Sequence, residues 1–440
     1  MAPRGLQAAR GPWRFLALVV ILQLVNPVGA ADDSQRGAAG SASQPAAATS
    51  TAGGRSAGGR AAGQFHFTLA ENPVKIDYSR KGVKVESRSG NYEATIRGRV
   101  QLRFSHPLDH DPRKESHFSI QQSRFRFRRA RLKAEGHAVR PWLTFKFEHD
   151  LVDNHLLNLR VTFKKYEWLQ FRAGQWELEY NRERATSSGK QQFADHSTVN
   201  RVFTIDYQPG FEILGHLAPG SRGDSWYFAG IFTGTGRANG FDDDGHPMYM
   251  ARYQWNFLGR DPGFSSSDVE YHDKPAASLA VGGVTNQSRY TRFSSSGGGE
   301  LDGFEPGAPG QYSIKQAMGE FFLKYRGISV QHESHWKRIH DNINLTTTDL
   351  RGAYVQAGYF PHSVVRWVPR QWEFAYRYAY VDPNTGRPAD LRQEHTVVFN
   401  WFFEGHDNKL TLEAGRLSLA RPGRPDRSEF RYRVQWDVQF

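Results

Sequence analysis

The chain ends in EFRYRVQWDVQF, Glu429 to Phe440, and this stretch alternates without interruption from Phe430 onward. One face carries Phe430, Tyr432, Val434, Trp436, Val438 and Phe440, and the other carries Arg431, Arg433, Gln435, Asp437 and Gln439. A period of two residues is typical of a β-strand with one apolar and one polar face. The same period governs YEATIRGRVQLRF (92–104), LLNLRVTFK and MYMARYQWNF, so we predict an all-β protein.

Alternating segments of this kind recur along most of the chain. They cover approximately 92–104, 124–136, 142–150, 156–164, 168–176, 210–218, 225–233, 248–257, 276–285, 313–326, 328–338, 352–360, 371–381, 394–403, 409–419 and 429–440. This count of about 16 is even, and many segments have the ~9–11 residues that a tilted strand needs to cross a bilayer. The pattern predicts a transmembrane up-and-down antiparallel β-barrel.

The connections between these segments alternate between long and short, which places the long loops at one end of the barrel. We predict long loops at 177–209, at IHDNINLTTTDL and at ARPGRPDRS, among others. Two further connections, 258–275 and 361–370, are longer than the alternation requires.

The N-terminal region has a different composition. Three arginines, the apolar run FLALVVILQLV and a small-residue stretch ending at Ala30 have the layout of a cleaved signal peptide, residues 1–30. Residues 31–64 are rich in Ala, Gly and Ser and form a predicted disordered tether. The structure of residues 65–91 is not specified by the pattern, and the barrel is predicted to span 92–440.

The composition excludes some classes of protein. The chain has no cysteine, which rules out disulfides and thiolate metal sites, and its net charge is +12. Aromatic residues make up 13% of the chain although the mean hydropathy is −0.64. Rings near strand ends, such as Trp168, Trp255, Trp401 and Trp436, fit the aromatic girdles of membrane barrels better than the core of a soluble protein.

The polar face of the strands is repeatedly basic. A single Arg or Lys facing lipid at the bilayer centre costs about 2–4 kcal/mol, so this face is expected to line the lumen. Acidic residues on the same face are expected to pair with part of these cations, and the positive excess would concentrate anions in a water-filled pore. In SRFRFRRARLKAEG the apolar positions change from odd to even numbers, which indicates a β-bulge at Arg128 and Arg129.

Four stretches carry a family resemblance. FRFRRARLKAEGHAVRPWLTFKFEHD and the following LQFRAGQWELEYNRERATSSGKQQFADHS resemble the phosphate-selective porins O and P, as do GAYVQAGYF and QWEFAYRYAYVD further on. The resemblance implies a trimeric 16-stranded outer-membrane barrel with its third loop folded inward and a ladder of Arg and Lys guiding anions. Residues 177–209 take the place of that loop, and the terminal Phe440 resembles the signal that the barrel assembly machinery reads.

Together these observations predict a bacterial outer-membrane porin for passive diffusion of small anions, with phosphate or polyphosphate as candidate substrates. Its expected partners are small anions, the lipid bilayer, the assembly machinery and two further copies of the chain, without a cofactor, a metal or nucleic acid. The predicted pore-lining residues are Arg97, Arg99, Arg103, Arg129, Arg131, Lys133, Arg160, Arg172, Arg182, Arg184, Lys190, Arg201, Arg431 and Arg433. A general diffusion porin, a membrane-embedded barrel enzyme and a surface adhesin remain alternatives, although no catalytic constellation is recognisable.

Overall fold

A computed structural model describes residues 64–69, 72–79, 82–237, 245–293 and 299–440 of the chain. These residues form one sheet of 19 strands. The strands are β1 (Gln64–Leu69), β2 (Asn72–Ser79), β3 (Gly82–Ser87), β4 (Glu93–His106), β5 (Arg124–Ala138), β6 (Arg140–Asp150), β7 (His155–Phe163), β8 (Gln170–Glu177), β9 (Tyr207–Leu217), β10 (Ser225–Phe232), β11 (Met248–Trp255), β12 (Ala276–Ser288), β13 (Tyr312–Tyr325), β14 (Ile328–Asp341), β15 (Thr346–Tyr359), β16 (Trp372–Asp382), β17 (Arg392–His406), β18 (Asn408–Arg421) and β19 (Arg424–Gln439). Short helical turns lie in the connections, at Glu115–Ser119, Arg182–Ala185, Asn200–Phe203 and Pro361–Ser363.

Strands β4 to β19 close into a barrel. Each pairs antiparallel with the next, and β19 pairs back onto β4 from Tyr432 opposite His106 to Gln439 opposite Arg99. This closure confirms the predicted 16-stranded antiparallel barrel, and each of its strands overlaps one of the predicted segments. Closure removes both sheet edges, which is the condition for a β-sheet to be stable in lipid.

The C-terminus and the N-terminal strands meet on the same edge of β4. Strand β3 pairs with the first residues of β4, from Val83 opposite Ile96 to Glu86 opposite Glu93, and β19 occupies the rest of that edge. Between them Phe440 exchanges two backbone hydrogen bonds with Gly98, at 2.7 and 2.9 Å. The Phe440 ring lies so close that a Cβ at position 98 would come within 2.4 Å of it, which explains the glycine there.

The connections at the two ends of the barrel differ in length. The long-loop end carries 107–123, 151–154, 178–206, 233–247, 289–311, 342–345, 383–391 and 422–423, so that 178–206 is its third loop. The short-turn end carries 139, 164–169, 218–224, 256–275, 326–327, 360–371 and 407. The connections 256–275 and 360–371 are therefore long ones at the short-turn end.

Two predicted long loops are wrong. Within IHDNINLTTTDL only residues 342–345 connect β14 and β15, and within ARPGRPDRS only 422–423 connect β18 and β19. The reason is that these strands run 14 to 16 residues, beyond the ~9–11 that cross the bilayer, so their polar ends stay paired outside it.

Apolar side chains face outward and polar side chains face the lumen, as the alternation predicts. In β19, Phe430 and Tyr432 are about half exposed on the outside, whereas Arg431 is fully buried in the lumen. Outward-facing Trp255, Trp401 and Trp436 lie toward the short-turn end, where rings at the headgroup level form a girdle. No helix in the described residues is long and apolar enough to span a membrane. The predicted signal peptide and nearly all of the predicted tether, residues 1–63, lie outside the described residues.

Candidate ion pathway

A basic wall lines one side of the lumen and consists of the inward-facing residues of β4, β5 and β19. Arg99 lies opposite Arg131, and Arg103 lies opposite Arg126, in the β4–β5 ladder. Strand β19 adds Arg431 and Arg433 on the other side of β4. The β4–β19 pair that closes the barrel therefore belongs to this wall. Like charges directly opposite each other destabilise a sheet, so such a wall needs counter-ions.

A β-bulge adds one more arginine to the wall. The β4–β5 register shifts between Gln101, which pairs with Arg129, and Leu102, which pairs with Phe127. Arg128 is therefore left without a backbone partner, and its guanidinium reaches an aspartate of the third loop in the lumen. The bulge lies where the change of alternation predicted it.

Carboxylates from neighbouring strands neutralise part of the wall. Arg131 contacts Glu148 at 3.0 Å and Asp150 at 3.1 Å, and Lys133 contacts the same Glu148 at 3.4 Å. Arg433 lies 3.2 Å from Glu413. Farther round the barrel Arg172 contacts Glu212 of β9, and Glu179 at the start of the third loop lies 3.8 Å from Arg160 and 2.8 Å from Arg172. Nearer the short-turn end Arg97 pairs with Glu135 at 3.2 Å.

Loops supply the remaining counter-ions of the wall. Asp195 of the third loop lies 2.7 Å from Arg103, 3.5 Å from Arg128 and 3.8 Å from Arg129. Burial opposes ionisation of Asp195, but the nearby Arg103 and Arg128 hold its pKa well below the usual value. Asp111 of the first loop contacts Arg431. One carboxylate shared by three guanidinium groups leaves this part of the wall with a positive excess.

The third loop is anchored inside the barrel by Arg182. Its Nε donates to Glu320 at 2.7 Å, and its Nη2 donates to Gln254 at 3.1 Å and to Ser278 at 3.2 Å. The guanidinium also stacks over the rings of Phe264 and Phe322. A charged side chain that is 1% exposed and fully hydrogen-bonded fixes the loop on strands β11 to β13.

The side of the lumen opposite the basic wall combines an apolar core with buried charged residues such as Arg252, Glu333 and Arg377. The third loop packs Tyr180, Val202 and Phe203 against inward-facing residues of β10 to β16, which include Phe232, Met250, Met318, Ile339 and Tyr354. This core packs the third loop against that side of the barrel. The third loop also contacts the basic wall, where Arg103 donates to Ala194 O and Gln101 Nε2 donates to Ser188 O at 3.2 Å.

A second loop enters the lumen from the short-turn end. Residues 256–275 meet the third loop where Ser266 N donates to Lys190 O at 3.0 Å and Arg182 donates to Gly263 O. Ser267 of the same segment donates to Glu373 at 2.9 Å. The two loops together narrow the lumen from both ends.

The exposure of the cations on the basic wall varies along β5. From the long-loop end, Arg124, Arg126 and Arg128 are 50%, 28% and 24% exposed. Exposure falls to 7% at Arg129 and 12% at Arg131 and rises again to 18% at Lys133. Beside Arg129, the most buried of these cations, Arg99 of β4 donates to Ser187 of the third loop.

The four predicted cations of the third loop have different surroundings. Arg182 is anchored to Glu320, and Arg184 pairs with Glu177 and Asp206. Lys190 is exposed and Arg201 is half-buried. In the part of the chain that the structure describes, neither of these two has a carboxylate within ion-pair distance. Burial and the nearby Arg292 and Arg113 lower the pKa of Arg201 to about 10.

All predicted lumen-facing strand residues point inward, but their role in binding anions remains a prediction. Sequence reasoning missed the loop carboxylates at Asp111 and Asp195, which pair with strand arginines, and the inward path of 256–275. The length of that connection was the only available signal. Within the described ranges no group of three His, Asp or Glu side chains is placed to hold a metal ion.

The buried Glu183 makes the third loop sensitive to pH. Burial, together with the neighbouring Glu333, raises the pKa of Glu183 to about 8, and its carboxyl accepts a hydrogen bond from Ser197 Oγ at 2.8 Å. The docked loop therefore holds a proton that a free carboxyl would release near pH 4.5, so docking weakens as pH rises from about 4.5 to 8 and changes little above 8. We expect channel noise to increase between about pH 5 and 8 in single-channel records, and Glu183→Gln to abolish this increase. Equal pH dependence in both proteins would contradict this account.

Comparison with known proteins agrees with this geometry. A family model described as phosphate-selective porin O and P matches residues 95–415. The Acinetobacter baumannii outer membrane channel DcaP is similar in structure, with a TM-score of 0.52 and 11% identity over 81% of this chain and 99% of that one. An anion-selective porin from Comamonas acidovorans and a loop L8 deletion mutant of Vibrio cholerae OmpT each give a TM-score of 0.51 and 11% identity over 79% of this chain and 99% of theirs. No individually curated protein matches the sequence.

At 11% identity the structural neighbours show the fold alone, and that fold is the barrel of an outer-membrane porin. Together with the family match, this fold defines the class of protein as a porin channel of the bacterial outer membrane. Because the family model covers most of the chain, the protein belongs to the phosphate-selective porin O and P family.

Proposed function

We propose that this porin forms an anion-preferring, water-filled channel for passive diffusion of small anions, among them phosphate or polyphosphate. The observation that supports this best is the series of cations along β5, from Arg124 through Arg128 and Arg131 to Lys133, which borders the lumen from one end to the other. A lumen lined by net positive charge raises the local concentration of anions and lowers that of cations.

Permeation along the wall would proceed through weak neighbouring sites. An anion entering the lumen exchanges part of its hydration for guanidinium donors, whose planar fork suits two oxygens of an oxyanion. Because Arg128 and Arg129 already share Asp195, an anion there competes with a tethered carboxylate. That competition keeps binding weak enough for release, as conduction requires.

The preference for phosphate would depend on Lys190 and Arg201, the third-loop cations without a carboxylate partner among the described residues. We expect phosphate added to a chloride bath to block chloride current. In Lys190→Gln/Arg201→Gln the half-blocking concentration should rise at least about tenfold, because the loss of even one charged hydrogen bond costs about 1.5–3 kcal/mol. Arg416→Gln, an outward-facing substitution on β18, is the control.

The block experiment separates a phosphate porin from a general diffusion porin. Block that is equally strong in the double variant would contradict the role of Lys190 and Arg201. Chloride current without any phosphate block would favour the general porin.

The proposal also includes a homotrimer, export by the signal at residues 1–30 and recognition of Phe440 by the barrel assembly machinery.

A further inference from the structure

The outer surface of β11 to β15 carries a row of polar side chains near the long-loop end. The register places Tyr249 opposite Thr285, Thr285 opposite Lys315, Lys315 opposite Arg338 and Arg338 opposite Asp349. All five positions lie on the face of the alternation that is not buried in the lumen. They form one continuous polar row across five strands, which we call the outer polar row.

Two residues farther along each strand toward the short-turn end, the outward-facing positions of β10 to β13 are occupied by small residues. Ala229 lies opposite Ala251, Ala251 opposite Gly283, and Gly283 opposite Ala317. Because these side chains are short, the surface is recessed there into an open apolar groove of about 540 Å³. Phe211, Ile213, Ile231 and Tyr249 border the groove, and Thr285 of the outer polar row lies at its edge.

The charges of the outer polar row are unbalanced at Lys315. Lys315 is exposed and lies directly opposite Arg338, where like charges repel across a strand pair. Arg338 is compensated on its other side by Asp349 at 2.9 Å. Within the described ranges Lys315 has no carboxylate at ion-pair distance. An anion beside Lys315 would relieve this repulsion.

The row lies where lipid headgroups would be. On the outward face of β13, Lys315 is about ten residues from the ring of Tyr325 at the short-turn end, and about ten residues of tilted strand cross the apolar band. On β14, Trp336 lies immediately below Arg338, which stacks over its ring at 5.3 Å. Aromatic rings mark the membrane interface, so Lys315 and Arg338 lie at its outer rim.

We propose that this face binds a phosphorylated lipid of the outer leaflet. Its phosphate would contact Lys315, with the Thr285 hydroxyl and Arg338 beside it, and an acyl chain would occupy the groove over Ala251 and Gly283. The two parts of the site match the two parts of such a lipid, since the cations adjoin the mouth of an apolar groove. A soluble anion would use the cations without the groove, and a second copy of the chain would use the groove without needing the phosphate.

The test uses the whole barrel, purified in detergent and stripped of lipid. We expect native mass spectrometry to detect bound lipid A that carries its phosphates and little binding of dephosphorylated lipid A. Lys315→Gln should lower retention about fivefold, since each cation near a charged lipid surface contributes about that factor. Ala251→Leu, which fills the groove, should lower retention by a similar factor, and Arg416→Gln on β18 should retain the lipid.

Folding of each variant is verified by its heat-dependent shift in electrophoresis. Equal retention of the two lipid A forms, or unchanged retention in Lys315→Gln, would overturn the proposal. Displacement of the lipid by excess inorganic phosphate would identify a small-anion site instead. A loss of oligomer in Ala251→Leu with unchanged lipid retention would show that the groove holds a second copy of the chain.

Discussion

Replacing Arg128 and Lys133 by glutamate is expected to change the preference of the channel from anions to cations. The double substitution alters the charge of the β5 wall by four units, on both sides of Arg129. Because the field inside a narrow lumen depends on its lining charges, the sign of the preference should follow the sign of the wall. The reversal potential of the variant in a salt gradient measures this change.

The matched control for this prediction is Arg416→Glu. Arg416 faces outward on β18, so its reversal alters net charge without altering the lumen. Arg128→Gln/Lys133→Gln, which removes charge without adding acids beside Glu148, should give an intermediate preference. If the glutamate variant folds and keeps the reversal potential of the unsubstituted protein, the basic wall is not the selectivity element.

Arg182→Gln is expected to release the third loop from the lumen. The substitution removes one of two buried cations that pair with Glu320; because Arg252 at 3.0 Å still compensates this carboxylate, the cost is expected to fall below the ~3–5 kcal/mol of a buried charge left without a partner. Since Arg182 also contacts Gly263 of the second inward loop, both loops lose their junction. We expect a severalfold larger and noisier single-channel conductance together with a weaker ion preference.

Arg421→Gln provides the comparison for the loop anchor. Arg421 pairs with Glu115 in an exposed position, where an ion pair contributes about 0–1 kcal/mol, so conductance should be unchanged. Normal conductance in folded Arg182→Gln would show that the other contacts of the third loop, such as Phe203 in the apolar core and Asp195 with Arg103, are enough to hold the loop in place.

The barrel could be predicted from the sequence because each strand carries its own two-residue period. In β19 the alternation of Arg431 with Tyr432 separates lumen from lipid without knowledge of any neighbour. The bulge at Arg128 was likewise visible as a local change of phase. The lengths of β14, β15, β18 and β19 could not be predicted, since their polar ends lack a buried face and alternate weakly.

The interior of the lumen depends on contacts that no local pattern encodes. Arg182 and Glu320 are 138 positions apart and meet only because the third loop crosses the barrel to β13. For the same reason the sequence could not distinguish Arg182, which is an anchor, from Lys190, which has no carboxylate partner within the described residues. The two-residue alternation predicts which side of the barrel a cation faces but not which acid it meets.

The central claim, that the lumen of this porin prefers anions, is tested most directly by the reversal potential of the unsubstituted protein in a planar bilayer under a potassium chloride gradient. The basic wall of β4, β5 and β19 predicts a reversal potential with the sign of chloride permeation. A reversal potential of the opposite sign, or the absence of channels from folded protein, would contradict it.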